Sequence, residues 1–566
     1  MAEKRSLGSK VDLGKLRKRI ADMDTQRSPL IATWREIAQY ITPGRGVFDQ
    51  NEPNRGDRKD QHLLDPTPLQ ALHILGAGMQ GGLTSPSRPW FRLGVSDPEL
   101  ADYGPVRLWL DDTERRMSHI LGRTNVYNCL HMLYSEVGAF GTGAMLLEAD
   151  PATVVRGRTM TTGEYYLSYS AGGLPETFAR IFWMTPPQMA EQFGMDALSE
   201  SVRSALESNA LDRWFRVCHI IMPNINYVED SPLSGDMPYI SIYWEEARTD
   251  EPLRVSGYEE FPVMAPRWEV LGDDFYGRGP GWDALGESRT LQELRYDYLV
   301  AQKMAIQPPM VGPTSLRRQR ANLEPGALTF VDSADPNQGF RPLYQIQPDI
   351  PGQIQAMADS REMIRSTFFA DLFMSIILEG NKDMTAREIE ERHSEKMMML
   401  GPVLERLENE LLDPLISRTF GLMDQMGLIP PPPEELRGRE LKIEYISTLA
   451  QAQQMVALGG IDRLTLFVGN MAQFNPEVLD KFDADEATDQ YAQALGVPAA
   501  IVRSDESVME MRQQRAQQQQ MMEQMAAAQQ MAQTAQQGAG ALNQASQAAE
   551  GEGIERLLGM MGDGQG

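Results

Sequence analysis

The chain of 566 residues is 42% hydrophobic, enough for real cores, and at about 150 residues per domain it suggests about four domain-sized pieces. Its 53 Lys and Arg against 79 Asp and Glu leave a formal net charge of −26, which excludes tight general wrapping of nucleic acid because such a surface repels polyphosphate. Two cysteines, Cys129 and Cys218, exclude a disulfide framework and stand in no Cys-x-x-Cys spacing, so both are expected as buried thiols of a reducing compartment.

The first ten residues are charged and lack the apolar stretch of a signal peptide. From 11 to 41, Leu13, Leu16, Ile20, Met23, Trp34, Ile37 and Ile41 recur at helical steps, and Pro43-Gly44 stops the helix. A polar loop from Phe48 to Gln61 precedes a second helix at about 66–83, which the run Thr84 to Pro89 ends. Further helices are expected at 104–121 and 125–138. From about 140 to 275, short β-branched and aromatic runs appear at Ala144–Glu148, Tyr165–Ser170, Phe215–Met222 and Tyr239–Trp244. One helical insert at roughly 186–208 interrupts them, so the region is α+β rather than alternating βαβ.

A helical stretch at 281–306 runs into Pro308-Pro309, and 307–349 is strand-like and punctuated. A helix returns at about 351–374, with Ile354, Met357, Ile364, Phe368 and Leu372 at near-helical spacing. Phe368 to Leu378 is the most apolar run, but it contains Asp371 and is too short to span a bilayer, so a soluble protein without a membrane partner is expected. After a linker at Ser375–Met384, Thr385-Ala386-Arg387-Glu388 forms a capping box that opens a long helix to about 426, kinked at Pro402 and Pro414. One strand, Leu441–Tyr445, follows the Pro430–Pro433 run. Met509 to Gln537 is a Gln-, Ala- and Met-rich helix that needs partner copies for stability, and the Gly- and Ala-rich end is flexible.

Gly76-Ala77-Gly78-Met79-Gln80-Gly81 matches the dinucleotide fingerprint, which works only after a strand and at the opening of a helix. Here it follows a helical run, so its glycines are expected to permit close packing or to end the helix. No P-loop is present, and the six histidines show no metal-ligand pair on one helix. Asp480, Asp483, Asp485, Glu486 and Asp489 depart from EF-hand spacing and read as a solvated acidic face. No catalytic residue, cofactor or metal site is nominated, and no enzyme is expected. Arg317, Arg318 and Arg320 form a small basic cluster, and Lys15, Arg17, Lys18 and Arg19 another; each either touches phosphate or a partner or is a solvated face. Arg361 and Arg365, four residues apart, share one helix face that suits either a lumen or a salt-bridge network.

The order of elements from 281 to 426 resembles the stem–clip–stem–tunnel-loop–wing order of phage portal proteins. The sequence is similar to the head-to-tail connectors of short-tailed, podovirus-type phages at Trp34–Pro43, Gly81–Phe91, Phe275–Gly281, Met384–Ile389, Leu400–Val403 and Leu411–Arg418. The likeness covers about residues 10–500. It implies a predominantly helical α+β, ring-forming portal-type architecture of usually twelve copies at one capsid vertex of the virion, assembled in the host cytoplasm. By position, 10–280 is the N-terminal part of the wing, 281–306 the first stem helix, 307–349 the clip and 350–374 the second stem helix. The tunnel loop is then 375–384, the long wing helix 385–427, the crown 440–508, and 509–566 the C-terminal helix and tail.

The same resemblance implies double-stranded DNA in the channel for packaging and ejection, with the terminase large subunit and later a tail adaptor docked at the clip. Major capsid and scaffolding proteins, and internal core proteins at the crown, complete the implied partners. Tunnel-loop residues Ile376, Ile377, Leu378, Glu379, Gly380, Asn381 and Lys382 would face DNA, with Lys382 either the DNA-proximal cation or paired to Asp383 or Glu379. Arg361 and Arg365 are the stem-lumen residues and Arg317, Arg318 and Arg320 the clip contacts that it suggests. Two rival readings stand beside it: another structural ring of the virion, such as a head–tail adaptor, and more remotely a dinucleotide-binding enzyme built on Gly76–Gly81.

Overall fold

The computed structural model describes residues 11–48, 60–61, 63–97, 100, 103–228, 234–248, 250–311, 341–342, 349–377, 398–439, 441–446, 464–472, 474, 481–488, 508–509, 511–522 and 524–525. The chain divides into a body ending at Asp462 and a second unit from Arg463, each described by itself.

In the body, α1 (Leu13–Tyr40) begins where Asp12 Oδ1 accepts hydrogen bonds from the backbone N–H groups of Gly14 and Lys15. Pro29 lies inside this helix and cannot donate to the Thr25 carbonyl; the Ser28 hydroxyl donates to it instead at 2.9 Å. Then come α2 (Thr67–Leu83), β1 (Phe91–Val95), α3 (Gly104–Arg123) and α4 (Val126–Phe140). The β-rich region holds β2 (Ala144–Asp150), β3 (Val154–Met160), β4 (Tyr165–Tyr169) and β5 (Pro175–Met184), then helices α5 (Pro186–Phe193) and α6 (Glu200–Glu207). It ends with β6 (Phe215–Pro223), β7 (Tyr239–Glu245), β8 (Arg254–Tyr258) and β9 (Val263–Met264). Strands β4 to β8 form an antiparallel five-stranded meander in chain order, while β2 is flanked by β3 and β9.

Alternation along the meander explains how it is covered on both sides. Cys218 and Ile220 of β6, with Ile242 and Trp244 of β7, pack against Leu13, Leu16, Ile20 and Met23 of α1. The intervening Val217 and Tyr243 face Met189 and Val202 of α5 and α6. The main core lies below, where Trp34 and Ile37 of α1, Leu72 and Leu75 of α2, and Leu130 and Leu133 of α4 are all fully buried.

The motif Phe275–Gly281 is explained by the approach of two backbones. An ideal Cβ on Gly281 would lie 2.1 Å from the Ala139 carbonyl oxygen, and one on Gly277 2.5 Å from that of Gly141. Only glycine admits that approach. It seats α7 (Pro280–Asp283) and the start of α8 (Leu285–Ile306) against the end of α4. Helix α8 leads to β10 (Met310–Val311), which pairs antiparallel with β11 (Arg341–Pro342), Met310 opposite Pro342.

The expected 351–374 helix is two helices. Helix α9 (Ile350–Thr367) breaks at Phe369, whose φ is +54°, and α10 (Ala370–Ile377) resumes in a new direction. Consequently Ser375, Ile376 and Ile377, expected in a loop, are helical. Past residue 397 the chain is helical across Pro402, widens to a π-turn at Glu408–Leu412, and continues as α11 (Asp413–Gln425). Pro414 cannot donate to the Glu410 carbonyl, and the wider turn accommodates that loss where a plain kink was expected. The strand β12 (Leu441–Tyr445), expected to open a crown, pairs with β1 in the body, Phe91 opposite Tyr445 and Val95 opposite Leu441. In the second unit, residues 464–472, 484–488 and 511–522 are helical.

Candidate functional site

The paired helices α8 and α9 project from the body, and the residues at their root decide how they are held. Helix α8 is buried only at Ser288, Leu291 and Gln292, and α9 at Met357, Ser360 and Ile364. Beyond the root, Leu299, Met304 and Ile306 on α8 and Ile354 on α9 are exposed.

A polar junction joins the root to the start of α2. Asp65 Oδ1 accepts from the Thr67 N–H at 3.0 Å and the Thr67 hydroxyl at 2.6 Å in the turn that leads into α2. Its other oxygen, Oδ2, accepts from Arg361 Nε at 3.0 Å and Nη2 at 2.7 Å. From α8, Gln292 Oε1 accepts from the N–H groups of Leu64 and Asp65, and its Nε2 donates to the Asp65 carbonyl. Burial alone would push the Asp65 carboxyl up, but hydrogen bonds from Thr67 and Arg361 outweigh it and hold the group below the usual carboxylate value. Asp65 and Gln292 were not singled out from the sequence; the helix-start signal Asp65-Pro66-Thr67 was there to be read, but its partners lie 227 and 296 positions away.

The two arginines expected to share a role are therefore in different situations: Arg361 is engaged by Asp65, whereas Arg365 is exposed. Ile376 and Ile377 lie on α10. The remaining tunnel-loop residues Leu378, Glu379, Gly380, Asn381 and Lys382, the basic cluster Arg317, Arg318 and Arg320, and the capping box at Thr385–Glu388 lie outside the described residues.

The Gly-rich fingerprint lies in the interior of α2 and follows no strand. A Cβ on Gly76 would sit 2.6 Å from Ser135 Oγ, and one on Gly78 2.2 Å from Phe373 Cγ, so these glycines serve helix packing. Of the basic first helix, Arg17 donates to the Glu246 and Arg248 carbonyls and Arg19 to the Ser168 hydroxyl, all within the body. Asp483 accepts from the N–H groups of Asp485 and Glu486, and Asp485 receives both Nη groups of Arg512. Both thiols are buried, and burial pushes Cys218 up to about 12. Among the described residues no group of three or more His, Cys, Asp or Glu stands together as a metal site, and no helix is long and apolar enough to cross a membrane.

A second buried ion pair braces the π-turn. Arg267 donates through Nη2 to Glu410 Oε1 at 2.6 Å and through its backbone N–H to Glu410 Oε2 at 2.9 Å, and its guanidinium lies 4.1 Å from the centre of the Tyr169 ring. Sequence reasoning found neither partner of this pair.

These features define a predominantly helical α+β body that presents two braced helices. The model of the family described as bacteriophage head to tail connecting protein matches residues 13–502. The portal protein of Salmonella phage epsilon15 is 40% identical over 532 residues, 94% of this chain and 95% of that one. The probable portal protein of Bordetella phage BPP-1 is 40% identical over 506 residues, covering 89% and 91%. A chain from the neck of an empty GTA particle computed with C6 symmetry matches at a TM-score of 0.37 and 10% identity, covering 77% of this chain and 90% of that one, a likeness too distant to carry an argument. The chain belongs to the bacteriophage head to tail connecting protein family, whose place is the head–tail connection of the virion, and it is a portal protein.

Proposed function

We propose that twelve copies of the chain close into a ring whose channel admits double-stranded DNA during packaging and releases it at ejection. The observation that carries this reading is the 40% identity to a portal protein across nearly the whole of both chains. The braced pair α8 and α9 supports it: as stem helices they need a firm root and neighbours over their exposed apolar ends. The insertion from 307 to 349, whose ends meet at β10 and β11, would be the clip, docking the terminase large subunit and then a tail adaptor through Arg317, Arg318 and Arg320. Residues 378–384 would be the tunnel loop, with Lys382 near DNA, and the crown would begin after β12. Arg365, not Arg361, would face the lumen, because Asp65 already holds Arg361.

The formal charge of −26 suits a conduit, since an acidic wall offers phosphates few fixed cationic partners and lets DNA slide. Around a ring the same charge requires that interfaces bring opposite charges or apolar surface together. Capsid, scaffolding and internal core proteins are the further partners of this reading, and the role is structural rather than catalytic. Native mass with negative-stain imaging of the same peak tests it. Twelve copies of 63.4 kDa give about 760 kDa and a central hole. A monodisperse monomer or dimer at high concentration, unchanged by added scaffolding protein, would overturn it.

A further inference from the structure

The joint between α9 and α10 conflicts with its own sequence. Residues 353–379 contain neither glycine nor proline, and the apolar spacing there predicts one continuous helix. Yet the chain breaks at Phe369, with φ of +54°, a left-handed conformation disfavoured about ten-fold for a residue with a Cβ. The turn is closed by the Phe369 N–H donating to the Ser366 carbonyl and the Phe373 N–H to the Phe369 carbonyl.

Tertiary contacts on both sides supply what the local sequence does not. Upstream, Arg361 pins α9 to Asp65. At the joint, the Phe369 ring lies 6.1 Å from the centre of Trp268. Downstream, Phe373, 1% exposed, occupies the space over Gly78 that any larger residue would fill. The bend is thus maintained by buried side chains on both sides of it, Phe368 and Leu372 as well as Phe373, of which only Phe373 fills a seat shaped by a glycine, and it is opposed by the helical preference of the segment.

We propose that the α9–α10 joint is a two-position hinge. With Phe373 seated over Gly78 the joint is bent at Phe369; with Phe373 released, Phe369 relaxes to the helical conformation and residues 350–377 form one straight helix. The inference needs only the joint and does not depend on the portal reading; if that reading holds, the hinge redirects the segment that follows Ile377 in the channel.

The test is a distance between spin labels on Gln355→Cys and Met374→Cys, both exposed positions, in the full chain diluted with unlabelled subunits; the native thiols are buried. A straight helix separates these positions by about 28 Å, and the bent joint by less. Unsubstituted protein should show the short distance. Gly78→Ala, which evicts the ring, and Phe373→Ala, which removes it without adding bulk, should each populate the long one. Adding Phe369→Gly to Phe373→Ala should return the ratio about ten-fold toward the short distance, because glycine bears no penalty at the bend. A single short distance in Phe373→Ala would overturn the hinge, as would a long distance in the unsubstituted chain. Because ring formation is read separately from native mass, failure of the hinge and failure of the portal reading are distinguishable.

Discussion

Arg361 closes on Asp65 across 296 positions, its Nη2 lying 2.7 Å from Oδ2, and so fastens the second projecting helix to the turn that leads into α2. Three elements distant in sequence, α2, α8 and α9, meet at this carboxylate and the Gln292 amide. The root of the projection is a hydrogen-bonded junction whose members cannot be removed singly without leaving a partner unsatisfied.

Replacing Arg361 by Ala is expected to cost about 3 kcal/mol, since the 4%-exposed Asp65 loses its cationic partner. The double variant with Asp65→Asn should lose less than the sum of the single losses. Because the folded-state value of Asp65 is depressed, the junction's contribution is complete above the ordinary carboxylate range and is lost as pH falls through the depressed value. Urea midpoints of the two single variants and the double variant, measured from pH 7 down to 3, check both points.

Glu410→Gln is expected to cost about 3 kcal/mol, because it leaves the Arg267 guanidinium buried beside Tyr169 without its counter-charge. A thermal unfolding series should rank Glu410→Gln well below exposed controls such as Glu434→Gln. Equal melting temperatures would mean that the π-turn does not rely on this pair.

His219 sets a pH dependence of its own. It is fully buried, stacks 3.7 Å from Tyr243, receives the Arg180 Nε–H on Nδ1, and meets the Ser241 hydroxyl through Nε2 at 3.0 Å. Burial, then the nearby positive Arg180, Arg158 and Arg254, hold its pKa well below the ordinary 6.5. The folded state therefore stays neutral while the unfolded chain binds a proton. Stability begins to fall as pH drops through 6.5, by up to about 1.4 kcal/mol per unit from this one group, until its folded-state value is reached. His219→Gln should flatten the urea midpoint between pH 7 and 5; an unchanged slope would assign the loss to other groups.

Deletion of 378–383, which spares α10, should leave rings of the same native mass while reducing DNA packaging or retention. Loss of ring assembly from that deletion would move the tunnel loop elsewhere in the chain.

The helices α1 to α4 and the pair α8 and α9 were legible because their information is local. The steps Leu13, Leu16, Ile20, Met23 form a stripe wherever the helix ends up, and Cys218/Ile220 against Val217 alternate whatever covers each face. The glycine fingerprint is legible as helix packing for the same kind of reason, its position within a helical run. The partners of the junction were not legible, because nothing at Asp65 announces Arg361, and nothing at Arg267 announces a carboxylate in a π-turn.

By itself, then, the sequence determined helices α1 to α4 and strands β2, β4, β6, β7 and β12, that the chain is an acidic α+β protein, and which family its ordered motifs indicate. Only the tertiary structure decided that β12 returns to pair with β1, that Arg361 is held by Asp65 while Arg365 is exposed, and that a segment written as one helix bends at Phe369. The physical reason is range. Backbone propensity and periodicity act over a turn or two, whereas the bend is maintained by tertiary contacts, among them a seat over Gly78 provided by a helix some 300 residues earlier, which outweigh the local preference only once the fold has brought them together.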